Sequence, residues 1–176
     1  MKFKDLFLIP NLITISRLLI TIYIFTSTSA DEFINTNLVL LIALIGISDS
    51  VDGIVARKLN QVSKLGIILD PITDRIVFVL LVLWLTSFFE PIFLIMLIIR
   101  ELLVSLGGLY VLKAEKTVKV TNNGKLGTTL IFISICLGVL NNDINTVFID
   151  FFMYISLIFY YFVALEYFYK IFIKNE

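Results

Sequence analysis

Apolar residues in this chain recur in runs close to the length of about 20 residues that a helix needs to cross a bilayer. Six such runs can be read: Leu12–Thr28, Leu38–Val55, Leu65–Leu85, Pro91–Leu112, Leu126–Leu140 and Val147–Ile173. The fifth is short. Hydrophobic residues make up 59% of the sequence and charged residues 16%, against about 25% charged in an average soluble domain. The expected fold is therefore an all-α polytopic membrane protein of six transmembrane helices. At 176 residues, the chain suits a single membrane domain, 1–176. The charged start, Met1 to Asp5, leads through Ile9-Pro10-Asn11 into the first run with no small-residue cleavage pattern after it, so that run is read as retained. Pro10 and Pro91 stand at the starts of the first and fourth runs, where a missing N–H costs little. Asn11 is a plausible N-cap.

Lys and Arg alternate between the connections. The N-terminus carries Lys2 and Lys4, and the second connection carries Arg57, Lys58 and Lys64. Lys113, Lys116, Lys119 and Lys125 mark the fourth, and Lys170 and Lys174 mark the C-terminal end. The other three connections carry only the acidic residues Asp31, Glu32, Glu90, Asp143 and Asp150. Because positive charge stays on the cytoplasmic side, both termini are expected there. Arg17, Arg75 and Arg100 fall inside predicted helices, where a charge usually marks a polar cavity or pathway. The aromatic-rich stretch Phe151 to Phe172 reads as a lipid-facing or packing surface.

Histidine is absent, which excludes a histidine base, a Ser-His-Asp triad and any His-ligated metal. The single cysteine, Cys136, lies in an apolar run and reads as a small buried hydrophobe. The formal net charge is zero, so bulk charge points to no nucleic-acid partner. Acid-base and metal chemistry is left to carboxylates.

Four of these stand close together, Asp49 and Asp52 three residues apart and Asp70 and Asp74 four apart. On a helix each spacing puts both side chains on one face. The two pairs flank a short basic connection, so antiparallel helices would hold all four at similar depth near one membrane surface. Four carboxylates in an apolar setting repel unless something neutralises them. All-oxygen ligation suits Mg²⁺, Mn²⁺ or Ca²⁺. Two such ions could clamp a diphosphate, and one carboxylate would have to serve as general base. Gly53, Ala56 and Gly66 surround the aspartates. Small residues there either admit a nucleotide to the backbone or simply let helices pack.

The pattern Asp-x2-Asp-Gly-x2-Ala-Arg-x8-Gly-x3-Asp-x3-Asp, filled by Asp49, Asp52, Gly53, Ala56, Arg57, Gly66, Asp70 and Asp74, resembles the signature of the CDP-alcohol phosphotransferases. The resemblance implies two divalent ions, taken as Mg²⁺ or Mn²⁺, held by Asp49, Asp52, Asp70 and Asp74. It implies that Asp74 is the general base. It also implies that the CDP-lipid lies against Asp52, Gly53, Ala56, Arg57 and Gly66, with Asn11 near the diphosphate. The implied reaction transfers a phosphatidyl group from CDP-diacylglycerol to an alcohol, releases CMP, and takes place at the cytoplasmic face of the cytoplasmic membrane. The family also suggests a homodimer.

For the acceptor, Ile9 to Arg17, Leu69-Asp70-Pro71, Arg100-Glu101 and Val118 to Thr129 are similar to bacterial phosphatidylglycerophosphate synthases, which implies glycerol-3-phosphate. Gly127 departs from that pattern, because those enzymes often carry Lys there. A small dianion needs a basic pocket, and Arg100, Lys119 and Lys125 are the candidates. Arg100 has a structural alternative, pairing with Glu101 or Glu166. Lys119 has another, topology control alone. Arg75, beside Asp74, can equally pair with an aspartate of the cluster. The same region also resembles cardiolipin synthases, whose acceptor is phosphatidylglycerol; inositol phosphate and serine are further acceptors. From another class, a divalent-metal transporter would also use an acidic intramembrane site. Against it stand the fixed Gly, Ala and Arg positions and the absence of a repeat.

Overall fold

A computed structural model of the chain describes residues 7–59, 64–113, 122–144 and 147–171. Among these residues there are six α-helices and no strand: α1 (Ile9–Ser27), α2 (Asn35–Lys58), α3 (Lys64–Trp84), α4 (Pro91–Lys113), α5 (Asn122–Ile144) and α6 (Val147–Tyr169). A 3-10 turn, Ala30–Glu32, lies between α1 and α2. Among the described residues, four stretches are long and apolar enough to cross a bilayer: Ile9–Ser27, Pro91–Gly108, Asn122–Asn141 and Val147–Tyr169. Among the described residues, α2 contributes a shorter apolar stretch, Asn35–Ser48. α3 carries Asp70, Asp74 and Arg75 within its length.

α1 begins earlier than its apolar run suggested. Leu8 is the N-cap residue, and its carbonyl accepts the first helical bond from the Leu12 N–H at 3.0 Å. Pro10 thus falls within the first turn, where N–H groups have no intrahelical acceptor and none is lost. Asn11 is consequently not the N-cap, and its side chain is buried inside the helix instead. α5 is not short: it runs 23 residues.

The chain divides into two compact units, Met1–Ser87 and Phe88–Glu176. In the first, α1 and α3 run parallel, since partners advance together along both helices. Thr14 meets Asp70, Arg17 meets Asp74, and Phe25 stacks on Trp84 with ring centroids 4.6 Å apart. The Trp84 indole N–H then donates to the Thr28 carbonyl at 2.9 Å, satisfying an acceptor at the C-cap of α1. Leu38 and Ile42 of α2, with Val77, Leu81 and Val82 of α3, are buried apolar side chains of this unit.

In the second unit α5 and α6 form an antiparallel hairpin. Asn141 donates to Asp150 at 3.0 Å near its closed end, and Asn123 donates to Glu166 at 2.9 Å near its open end. Lys170 pairs with the same Glu166 at 2.7 Å. α4 runs parallel to α6. The Tyr154 hydroxyl donates to Glu90 at 3.2 Å, just ahead of α4, and the Tyr161 hydroxyl donates to the Met96 carbonyl at 2.7 Å.

Glycines set the closeness of this packing. A Cβ on Gly138 would collide with the Phe89 ring and lie 3.0 Å from the Met153 sulfur. A Cβ on Gly108 would meet nothing nearer than the Tyr167 hydroxyl at 3.9 Å. Gly138→Val should therefore destabilise the protein by about 1–3 kcal/mol through overpacking. Gly108→Ala should be neutral or stabilising by up to about 1 kcal/mol from helix propensity. Thermal unfolding in detergent checks both; equal midpoints for the two variants would contradict this packing.

Candidate active site

α1 carries a polar stripe inward. Asn11, Thr14, Arg17 and Thr21 recur every three or four residues and are all buried. The apolar Leu19, Ile20 and Tyr23 of the same helix are exposed. Water would penalise this arrangement, whereas lipid solvates the apolar face and polar groups gather inside.

The inward stripe reaches the two aspartates of α3. The Thr14 hydroxyl shares its hydrogen between the Pro10 carbonyl at 3.1 Å and Asp70 Oδ1 at 3.2 Å. Arg17 donates from Nη2 to Asp74 Oδ1 at 2.6 Å. The Arg17 side chain is 7% exposed and that of Asp74 41%, so a buried cation meets a carboxylate that still reaches the surface. Such charge-assisted bonds are among the strongest in proteins. Pro71, between the two aspartates, lies inside an unbroken helix. Having no N–H, it cannot bond the carbonyl four residues earlier. The Thr73 hydroxyl bonds the neighbouring carbonyls of Leu69 at 3.0 Å and Asp70 at 2.9 Å. Gly66 is buried one turn before Asp70.

Asp49, Asp52, Gly53, Ala56 and Arg57 lie on α2, so the expected helical spacing of Asp49 and Asp52 is present in the backbone. Their side chains lie outside what the structure describes, as does Lys119 altogether. Among the described residues no three carboxylate or thiol groups converge. The described oxygen donors, Asp70 and Asp74 one turn apart, are hard carboxylates of the kind that hold Mg²⁺ or Mn²⁺. They fit a divalent ion in donor chemistry.

Arg100 and Glu101 form a second buried charged group, 6% and 7% exposed on α4. Arg100 Nη1 donates to Glu101 Oε1 at 2.6 Å, which is one of the two pairings anticipated as the structural alternative. The Tyr160 hydroxyl of α6 donates to the same carboxylate oxygen. The guanidinium carbon sits over the Tyr160 ring, 3.5 Å from its centroid. Arg100 Nε is buried with no hydrogen-bond partner among the described residues, which costs about 1–3 kcal/mol in a protein interior. Lys125 is exposed near the start of α5.

Two contributors went unassigned in the sequence. Arg17 stood out only as an intramembrane charge, and Thr14 did not stand out. The spacing Asn11, Thr14, Arg17, Thr21 carried the signal, a polar stripe at helical period on an otherwise apolar segment. Removing the cation should matter. Arg17→Leu should lower turnover about 10–100-fold, as loss of groups that orient metal-binding carboxylates typically does, and should lower the unfolding midpoint. Wild-type turnover in Arg17→Leu would show that the pair has no part in the site.

Comparisons with known proteins bear on the same residues. The family described as CDP-alcohol phosphatidyltransferase matches residues 7–164. The chain is 31% identical over 144 residues to the CDP-diacylglycerol--glycerol-3-phosphate 3-phosphatidyltransferase of Aquifex aeolicus, covering 78% of this chain and 79% of that one. It is 32% identical over 105 residues to the enzyme of the same name from Wigglesworthia glossinidia brevipalpis, covering 55% and 56%. A shorter likeness, 54% over 37 residues, is to a cardiolipin synthase (CMP-forming) of Streptomyces coelicolor and covers 21% and 17%. The match from residue 7 to residue 164 takes in the polar stripe of α1, the aspartates of α2 and α3 and the Arg100 cluster. This chain belongs to the CDP-alcohol phosphatidyltransferase family and is an integral membrane transferase of phospholipid biosynthesis.

Proposed function

We propose that this chain transfers a phosphatidyl group from CDP-diacylglycerol to glycerol-3-phosphate, giving phosphatidylglycerophosphate and CMP. The observation that carries the reading is the Asp70–Asp74 pair on α3, engaged by Thr14 and Arg17 of α1, in a chain of this family. The choice of acceptor is supported by the Aquifex aeolicus relative, whose likeness spans most of both chains. The Streptomyces coelicolor likeness favours a second acceptor, phosphatidylglycerol, through a much smaller part of the chain.

Asp49, Asp52, Asp70 and Asp74 are the residues that would hold two divalent ions, Mg²⁺ or Mn²⁺. When bound, such ions neutralise charge on a diphosphate and stabilise the leaving phosphate. The rest falls to the side chains. Asp74 takes the proton from the acceptor hydroxyl. The freed oxygen forms a bond to the lipid-side phosphorus of the diphosphate. The bond from that phosphorus to the bridging oxygen breaks, and CMP leaves with the electron pair. Arg17 fixes the Asp74 carboxylate through Oδ1, so the base keeps its orientation as the acceptor arrives. Asn11, on the same buried stripe as Thr14 and Arg17, serves the CDP-lipid together with Asp52, Gly53, Ala56, Arg57 and Gly66. Arg100, Lys119 and Lys125 serve the acceptor phosphate.

The same reading takes residues 1–176 as one membrane domain with six spans, both termini cytoplasmic and the site facing the cytoplasm, working as a homodimer. The orientation rests on the alternation of Lys and Arg among the connections, and the homodimer on the family alone.

Asp74→Asn should abolish CMP release, a loss of at least about 100-fold for a general base, while largely sparing CDP-diacylglycerol binding. Normal turnover in this variant would remove Asp74 as the base. Chelation with EDTA should stop CMP release, and Mg²⁺ or Mn²⁺ should restore it; release at full rate in excess EDTA would overturn the metal reading.

A further inference from the structure

We propose that Tyr160 is a positioning residue for the acceptor, acting through Arg100; this rests on the reading above that Arg100 binds the acceptor phosphate. Arg100 and Glu101 are consecutive on α4, so their side chains leave the helix about 100° apart and do not naturally face each other. Here they converge, and they converge on Tyr160. Its ring face lies under the guanidinium, 3.5 Å from the guanidinium carbon, and its hydroxyl donates to the Glu101 oxygen that also accepts from Arg100. One residue of α6 thus holds both members of the pair.

The arrangement fixes the plane of the guanidinium. Glu101 occupies Nη1, and the ring occupies one face. Nε is left as a buried donor with no partner among the described residues, on a side chain only 7% exposed. A pair that served only to neutralise charge inside the membrane has no need of a buried donor held ready. An anionic group gives that donor an acceptor. A guanidinium presents parallel N–H donors well matched to phosphate oxygens.

Gly127 of α5 belongs to the same assembly. A Cβ there would come within 3.3 Å of Tyr160 Cδ2 and 3.5 Å of a Val163 methyl carbon. The missing side chain lets the Tyr160 ring lie against α5 while its other contacts reach α4. Gly127 is the position where the sequence departs from the Lys often found in similar synthases. In this chain it accommodates the aromatic support of Arg100.

The test is steady-state kinetics of the full chain in detergent micelles, with CDP-diacylglycerol and glycerol-3-phosphate varied separately. Tyr160→Phe keeps the ring under Arg100 and removes only the hydroxyl. It should raise KM for glycerol-3-phosphate on the order of tenfold, as expected for losing one hydrogen bond to a charged group. KM for CDP-diacylglycerol and kcat at saturating acceptor should stay within about twofold, a split that general loss of structure does not give. Glu101→Gln should raise the same acceptor KM. The double variant should fall well short of the product of the two effects, because both act through one guanidinium. An unchanged acceptor KM in Tyr160→Phe overturns the proposal. So does a loss spread equally over both substrates, or fully multiplicative effects in the double variant. The unmodified protein, run alongside, tests the function itself: failure of glycerol-3-phosphate to stimulate CMP release there is a failure of that reading rather than of the role given to Tyr160.

Discussion

The bond between Arg17 on α1 and Asp74 on α3 is the constraint on which the first unit depends. Arg17 is buried in an apolar setting, where a cation without a partner is costly. Removing its carboxylate would leave that buried charge uncompensated. The pair therefore fixes which face of α1 turns inward and where along α3 it docks. With Arg17 on Asp74, Thr14 falls on Asp70 and Phe25 on Trp84. The same contact holds the carboxylate proposed as the base, so in that proposal one interaction would serve both folding and chemistry.

The second unit solves a similar problem differently. Its buried charges, Arg100 and Glu101, sit side by side on one helix and are brought together by a tyrosine from another. Close packing lets that tyrosine reach them. Gly127 and Gly138 remove side chains where α5 meets its neighbours, and polar contacts near both ends of the hairpin fix its register. Small residues and interhelical hydrogen bonds are the usual adhesives where burial of apolar surface gives no drive.

Much of this was legible in the residues. Six helices follow from six apolar runs, and α4 begins at Pro91 as read. The helical spacing of Asp70 and Asp74 placed both on one helix one turn apart. The errors have local causes. Asn11 reads as a cap because it stands just ahead of the apolar run, yet Pro10 is at home within a first turn, and Leu8 caps the helix. α5 reads as short because asparagines flank its apolar run. They stay helical because Asn123 and Asn141 find carboxylates on α6. Partnerships across helices were the least legible. Nothing local says that Arg17 meets Asp74, 57 residues away, or that Tyr160 meets Glu101, 59 residues away. Such pairings depend on which helices become neighbours.

The central claim is that the carboxylates held by this scaffold move a phosphatidyl group to glycerol-3-phosphate. The most direct measurement is CMP release by the purified protein from CDP-diacylglycerol with Mg²⁺. Glycerol-3-phosphate, phosphatidylglycerol, inositol phosphate and serine are supplied in separate reactions, and the lipid product is identified in each. The account predicts release stimulated by glycerol-3-phosphate, with phosphatidylglycerophosphate as the product. Folded protein that releases no CMP with glycerol-3-phosphate would contradict it.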